Sequence, residues 1–153
     1  MRKKDEGFSL IELLIVVAII LIIAAIAIPR LMQSRMAANE ASAVGSLHSL
    51  NTACISYSTS YDLYPATLAN LGPVAGGGGP TSTTADLIDQ VLAVGTKSGY
   101  VFSFTAGAAN LSYQINADPV SPGVTGRRHF FTDESNVIRA NVAAAAANTD
   151  TPI

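Results

Sequence analysis

Charged side chains and cysteines are scarce in this chain. Asp, Glu, Lys and Arg make up 13% of its 153 residues, about half the usual share. The formal net charge is -2, so the basic surplus that is typical of nucleic-acid-binding proteins is missing. The single cysteine, Cys54, has no intrachain partner for a disulfide and is interpreted as a small apolar packing residue. The composition therefore supports neither a disulfide-stapled fold nor a nucleic-acid-binding protein.

Polar side chains are almost absent from residues 8–28. Only Ser9 and Glu12 are polar there, and a run of about 20 apolar residues matches the hydrocarbon thickness of a bilayer. A basic head at residues 2–4 precedes the run and favours a cytoplasmic N-terminus with an exported C-terminus. We therefore predict that residues 8–28 insert into a membrane as one span.

An amphipathic helical pattern follows Pro29. Apolar residues recur there at spacings of four and three, which is one face of a helix. Since a proline inside a long helix usually kinks it rather than ending it, residues 9–57 are predicted to form one helix with a kink at Pro29. The predicted apolar stripe consists of Ala43, Leu47, Leu50, Cys54, Tyr57 and Tyr61.

Beyond this helix, turn residues and short strands are predicted. Residues 84–92 are expected to form a short helix with Thr84 as its N-cap. From Tyr100 the period of the pattern falls to two, which is typical of strands. Two hairpins are predicted, one joining residues 100–105 to 111–115 and the other joining 128–132 to 137–139, while the alanine-rich tail from Asn141 is weakly specified. The expected fold class is α+β, with a long N-terminal helix packed on a small C-terminal antiparallel sheet.

Glu12 is the side chain that the membrane prediction does not explain. A carboxylate inside an apolar span costs a few kcal/mol, so it is a functional candidate with a partner to be named. Between Phe8 and Arg30 the sequence has no basic side chain that could pair with it. Alternatively, Glu12 lies close enough to the interface to reach water.

Residues 7–17, GFSLIELLIVV, resemble the processing and assembly motif of type IV pilins and the related pseudopilins. The resemblance implies that a membrane-embedded aspartyl peptidase cuts between Gly7 and Phe8 and methylates the new amine of Phe8. It also implies that Glu12 of one subunit pairs with the Phe8 amine of the next and sets the register between helices. Pro29 matches a proline that is common in the family.

The resemblance implies four parts: a leader (1–7), a transmembrane and filament-core helix (8–28), an amphipathic helix (29–60) and a globular head (61–153). The expected function is that of a structural subunit of a type IV pilus, used in motility, adhesion or DNA uptake, and not of an enzyme. No cofactor is expected. The implied partners are copies of the same chain, prepilin peptidase and the inner-membrane assembly machinery. The implied location is the inner membrane, followed by an extracellular pilus.

Four alternatives remain open at this stage. One is a pseudopilin of a type II secretion system, some of which bind calcium near the C-terminus, with Asp118, Asp133 and Glu134 as weak candidate ligands. Another is a single-span anchored protein that does not polymerise. A third is a secretory signal peptide cut at the Ala-Ile-Ala sequence of residues 25–27.

The fourth alternative, an enzyme, lacks a recognisable constellation. His48 and His129 are the two histidines and lie far apart in sequence. His48 and Cys54 are separated by about 600° of helical phase, so they do not share a face.

Overall fold

The computed structural model describes residues 8–74, 76 and 78–153. The chain divides into two compact units, Met1–Arg35 and Met36–Ile153. The first helix, α1, comprises Leu10–Tyr61 and continues through Pro29. Pro29 lacks the N–H that would bond to the carbonyl four residues earlier, yet the helix is not interrupted there. One long N-terminal helix is thus confirmed, whereas the kink at Pro29 stays a prediction.

In the first unit, α1 presents apolar side chains in every direction. Apart from the half-buried Ala24, each described residue of this unit is exposed. The most apolar window of α1 has a mean hydropathy of 3.3, and α1 is the one helix in the described part of the chain that is long and apolar enough to cross a membrane. A helix that is hydrophobic on all sides is stable only when lipid or protein covers it.

In the second unit, the chain forms a six-stranded antiparallel sheet. The strands follow one another in sequence order across the sheet. They are β1 (Thr96–Lys97), β2 (Tyr100–Ala106), β3 (Tyr113–Pro119), β4 (His129–Asp133), β5 (Arg139–Asn141) and β6 (Thr151–Pro152). The predicted α+β class is confirmed. Both predicted hairpins are present as β2–β3 and β4–β5, although β3 and β5 each begin two residues later, and β4 one residue later, than expected.

The helix predicted over residues 84–92 is wrong. Thr84 and Thr81 form a tight turn. The Thr81 N–H donates to the Thr84 carbonyl at 3.0 Å, and the Thr84 N–H donates to the Thr81 carbonyl at 3.1 Å. Asp86 has a φ of 55°, which is incompatible with a right-handed helix. A shorter helix, α2 (Gln90–Ala93), begins only after Asp89, whose Oδ1 accepts the Leu92 N–H at 2.7 Å. The backbone pairing of this segment with its neighbours overrides its local helix signals.

The core lies between the second half of α1 and one face of the sheet. Five of the six predicted stripe residues are buried, and Tyr61 is half-buried against the same cluster. The sheet contributes the fully buried side chains of Tyr100, Tyr113, Ile115 and Phe130. The helical spacing therefore predicted the buried face of α1 correctly.

A polar contact at the centre of this core joins α1 to the sheet. The buried Asn51 donates from Nδ2 to Thr132 Oγ1 at 2.8 Å and accepts from the Tyr113 hydroxyl at 3.1 Å. Because all three groups are away from water, each hydrogen bond satisfies a partner that would otherwise be costly to bury. The contact fixes how α1 lies against β3 and β4.

A second polar contact holds α1 to the segment before β4. Glu40 accepts the Arg127 N–H at 2.9 Å and the Arg128 Nε at 2.7 Å. Burial alone raises the pKa of Glu40, but these hydrogen bonds outweigh that effect and lower the pKa below its ordinary value. Glu40 is the one acidic residue of α1 in this unit, and its carboxylate is bound within the chain.

The alanine-rich tail is more ordered than its sequence indicated. Ala146 is buried, and its carbonyl accepts Asn116 Nδ2 at 2.8 Å. Asp150 accepts Asn141 Nδ2 at 2.9 Å, and the backbone N–H of Ile153 bonds to the Ile138 carbonyl. Hydrogen bonds and the β5–β6 pairing thus close this C-terminal loop without a disulfide.

Replacing Asn51 with Ala is expected to lower the free energy of unfolding of the second unit by about 2–4 kcal/mol, because two buried hydroxyls lose their partner. The matched control is Ser49→Ala on the exposed face of the same helix, which should change stability by less than about 0.5 kcal/mol. Denaturant unfolding of the full chain in detergent, followed by tyrosine fluorescence, measures both. Equal effects of the two substitutions would contradict the anchoring role of Asn51.

Candidate processing and assembly site

The candidate site lies where α1 begins. The helix starts at Leu10, so Ser9 is its N-cap and Glu12 is its third residue. The Ser9 N–H donates to Glu12 Oε2 at 2.9 Å, and the Ser9 carbonyl accepts the Leu13 N–H at 3.2 Å. This arrangement is the glutamate half of a capping box. The Glu12 carboxylate is therefore directed back toward the helix N-terminus, where the helix dipole also stabilises a negative charge.

Phe8 precedes this N-cap and is 80% exposed. Its backbone nitrogen is one residue before the N–H that Glu12 already binds. The predicted leader, residues 1–7, lies outside the described residues, and Gly7 with it. Of the two residues flanking the predicted cut, the structure therefore places only Phe8. In a chain that began at Phe8, the new amine would be one residue before the Ser9 N–H to which the Glu12 carboxylate is bonded.

The surroundings of Glu12 are apolar on all sides. Leu10, Ile11 and Leu13 are each more than half exposed. Glu12 is also the one charged side chain in the sequence between Phe8 and Arg30. A carboxylate in such a setting has lost much of its water when the helix is covered, so its negative charge requires a cation or further hydrogen-bond donors.

Residues 2–28 match the prokaryotic N-terminal methylation motif, which is the prepilin-type motif of type IV pilins and pseudopilins. The matched segment contains the basic head, Gly7, Phe8, Glu12 and the apolar run, and it ends before Pro29. No curated protein matches the chain. The chain therefore carries the prepilin-type motif on a helix that is long and apolar enough to cross a membrane. The motif supports a type IV pilin-like or pseudopilin protein that is processed by prepilin peptidase.

The three acidic residues considered as calcium ligands are not brought together. Asp118 Oδ1 contacts His129 Nδ1 at 2.6 Å, while Asp133 accepts hydrogen bonds from Ser135. Asp133 lies opposite Gln114, four residues from Asp118 along β3, or roughly 13 Å. In the part of the chain that the structure describes, no three His, Cys, Asp or Glu side chains are grouped for a metal. The geometry gives no support to a calcium site shared by Asp118, Asp133 and Glu134.

The other reactive side chains also lie apart. Cys54 is fully buried in the core, and burial raises its pKa to about 12. His48 is exposed on a different face of α1, as the helical phase predicted. A thiol with so high a pKa is not a nucleophile near neutral pH, so this pair offers no catalytic arrangement.

The capping role of Glu12 is the feature that sequence reasoning missed. The signal was present, because Ser9 and Glu12 have the Ser-x-x-Glu spacing of a capping box. Interpreting Glu12 only as a buried charge overlooked this local role. The carboxylate has two oxygens, however, and the Ser9 N–H occupies a single acceptor site. Glu12 is therefore able to cap its own helix and bind a cation together.

Because the Cys54 thiol is buried and its pKa is raised to about 12, we expect that iodoacetamide at pH 8 does not alkylate it in the folded chain. Alkylation should become rapid only in denaturant. The variant Ser49→Cys, on the exposed face of the same helix, serves as the reactive control. Mass spectrometry after timed quenching measures both, and fast labelling of Cys54 in the folded chain would contradict the packing role assigned to it.

Proposed function

We propose that this protein is a structural subunit of a type IV pilus. Prepilin peptidase cuts it after Gly7 and methylates Phe8, and it then assembles through residues 8–28. The observation that carries this proposal is the exposed, wholly apolar first part of α1 with Glu12 as its single charge. A mature protein that keeps this apolar surface needs lipid or other protein to cover it at all times.

The same surface serves two environments in turn. In the bilayer, lipid tails cover the aliphatic side chains, which makes the membrane a store of subunits. In a filament, the helices of other copies replace the lipid at little cost in hydrophobic free energy, because both surroundings are apolar. In this proposal, cleavage before Phe8 leaves the whole apolar segment on the product.

Glu12 then determines the register between copies. A subunit that enters the filament takes its Glu12 carboxylate out of contact with water, and the Phe8 amine of a neighbouring copy is the cation that the processed chain itself provides. Methylation leaves this amine charged. Such a pair contributes more to specific alignment than to net stability, since both charges must be desolvated. The bond from the Ser9 N–H holds the carboxylate in place before the neighbour arrives.

The head, residues 61–153, forms the exposed part of the filament and carries its motility, adhesion or DNA-uptake contacts. A pseudopilin of a type II secretion system is the second candidate, because the matched motif is shared by both groups. The separation of Asp118 from Asp133 gives that alternative no calcium site of the kind expected for it. The two candidates differ in location: an extracellular pilus for the first, and a short periplasmic filament for the second.

Material sheared from cells should contain a chain that begins at N-methylated Phe8. Intact mass and N-terminal sequence of the sheared fraction, compared with the membrane fraction, measure processing and surface assembly together. The same processed chain in membranes alone would indicate a pseudopilin. An uncut chain, or a chain beginning at Ile28, would contradict the proposal and leave a plain anchor or a signal peptide.

Substitutions of Glu12 separate its two roles. Glu12→Gln keeps an oxygen acceptor for the Ser9 N–H but removes the charge, whereas Glu12→Ala removes both. If the charge sets the register, both variants should be cleaved after Gly7 as in the wild type, and both should lose at least about tenfold of sheared filament. Glu12→Asp, which keeps the charge on a shorter side chain, should retain more filament than either variant. Normal filaments from Glu12→Gln would show that the carboxylate acts as a helix cap alone.

A further inference from the structure

A cavity lies at the end of α1, where the chain leaves the helix. It has a volume of about 270 Å³, which is far more than a bare ion needs, since one water molecule takes about 30 Å³. Polar and aliphatic side chains share its walls, and we call it the α1-end pocket. Its lining consists of Ser58, Asp62, Leu63, Tyr64, Asn110 and Leu111.

The backbone around the α1-end pocket is held in place by hydrogen bonds. The Asp62 N–H donates to the Ser58 carbonyl at 2.9 Å, and the Tyr64 N–H donates to the Asn110 carbonyl at 2.9 Å. Asp62, Ala109 and Asn110 have φ angles of 63°, 53° and 55°, in the left-handed region that residues other than glycine rarely adopt. Backbone strain of this kind clusters at functional sites such as ligand pockets.

Most of the polar side chains in the α1-end pocket have no hydrogen-bond partner. Of the four, only Ser58 has one within the described part of the chain, the Ile55 carbonyl at 2.9 Å. The Tyr64 ring packs edge-on against Tyr113, with the ring centroids 4.8 Å apart, which fixes the tyrosine but leaves its hydroxyl unpaired. The Asp62 carboxylate, the Asn110 amide and the Tyr64 hydroxyl are therefore available to a ligand.

The charge in and around the α1-end pocket is negative. The pocket lies at the C-terminal end of the helix dipole, where a cation is favoured. Yet the last turn of α1 has no basic residue, and the acidic Asp62 follows the helix directly. Burial raises the pKa of the neighbouring Tyr113 hydroxyl, and nearby groups that include Glu134 and Asp133 raise it further. The surroundings therefore add negative charge to that of Asp62.

The basic side chains of the same unit lie elsewhere. They are Lys97, Arg127, Arg128 and Arg139, and none of them lines the pocket in the described part of the chain. Lys97 is paired with Asp89 at 3.0 Å. Arg128 is paired with Glu40, which is roughly 30 Å along α1 from Tyr61. A cation that neutralises the pocket must therefore come from outside this unit.

From these observations we infer that the α1-end pocket binds a primary ammonium group carried on an aliphatic chain. The three N–H donors of such a group match the unpaired oxygens of Asp62, Asn110 and Tyr64, and the bond to the carboxylate is charge-assisted. The methylene groups behind the ammonium contact Leu63 and Leu111, which are 42% and 70% exposed. A lysine side chain of another protein and a free polyamine both carry this group. The inference goes beyond the proposed function and does not depend on it.

The first test is an NMR titration of the isotope-labelled full chain in a non-ionic detergent, which brings no ammonium group of its own. Butylammonium chloride should shift the backbone amide signals of Leu63, Tyr64 and Leu111 in a saturable way. Butanol, which has the same aliphatic chain without the charge, should not. Sodium chloride at the same ionic strength is the control for screening. Equal shifts with butanol, or shifts that do not saturate, would overturn the inference.

The second test removes the charge of the pocket. Asp62→Asn should weaken the binding of butylammonium at least about tenfold, because the charge-assisted bond is lost, while asparagine still adopts the left-handed backbone conformation. Asp86→Asn is the matched control, since Asp86 is also exposed, has a φ of 55° and does not line the pocket. It should change binding by less than about twofold, and the unfolding midpoint should be unchanged in both variants. Equal effects of the two substitutions would contradict a site at the end of α1.

Two further ligands identify the source of the ammonium group. A lysine blocked at both backbone ends presents the group as a protein would, and cadaverine presents it as a free polyamine. Binding of the blocked lysine as tight as that of butylammonium assigns the pocket to a protein partner, whereas binding of cadaverine without the blocked lysine assigns it to a polyamine. Calcium chloride that produces the same shifts at a lower concentration would overturn the inference, because the pocket would then hold a bare cation. Filament yield does not enter these measurements, so a failure of the proposed function would leave their outcome unchanged.

Discussion

The constraint on which the rest of this structure depends is the apolar surface of the first half of α1, because its exposure to water is unfavourable. About twenty residues at the start of α1 carry aliphatic side chains on all sides, and burying such surface is worth roughly 25 cal/mol per Å². The surface must therefore be covered by lipid or by protein. In the proposed function, the motif over residues 2–28, with Gly7 and Glu12, allows the helix to move from lipid to other copies of the chain.

In the second unit, the requirement on α1 is a firm attachment to the rest of that unit. One face of α1 must attach firmly to the head, and this is achieved by a conventional apolar core with polar contacts at Asn51 and Glu40. These contacts bind Glu40, the one charged side chain of α1 in this unit, and the buried amide of Asn51. On the opposite face, Ser49 and Thr52 donate to carbonyls of their own helix.

The apolar run was sufficient to predict the first half of α1, and periodicity predicted its second half, the buried stripe and the β2–β3 hairpin, because each of these signals lies in local sequence. It failed where backbone pairing with distant segments decided the structure. The segment after Thr84 had helix-forming residues, but its N–H groups bond to the chain around Leu71. The tail after Asn141 lacked any periodic signal, yet Asp150 and the β5–β6 pairing hold it. At the candidate site, the residue types were found from the motif, whereas the Ser-x-x-Glu spacing that indicates the bond between Ser9 and Glu12 was present in the sequence but was not interpreted as a cap.

That bond changes how the carboxylate of Glu12 should be understood. A charge in an apolar helix is usually treated as a cost that only a partner subunit offsets. Here the Ser9 N–H and the helix dipole also act on it at the helix N-terminus. In the proposed function, the amine of Phe8 adjoins the same helix end, so a processed chain would present a cation and an anion at one terminus. We propose that pairing between two such termini favours one axial alignment, and that a single carboxylate thereby specifies the register of helices that are otherwise uniformly apolar.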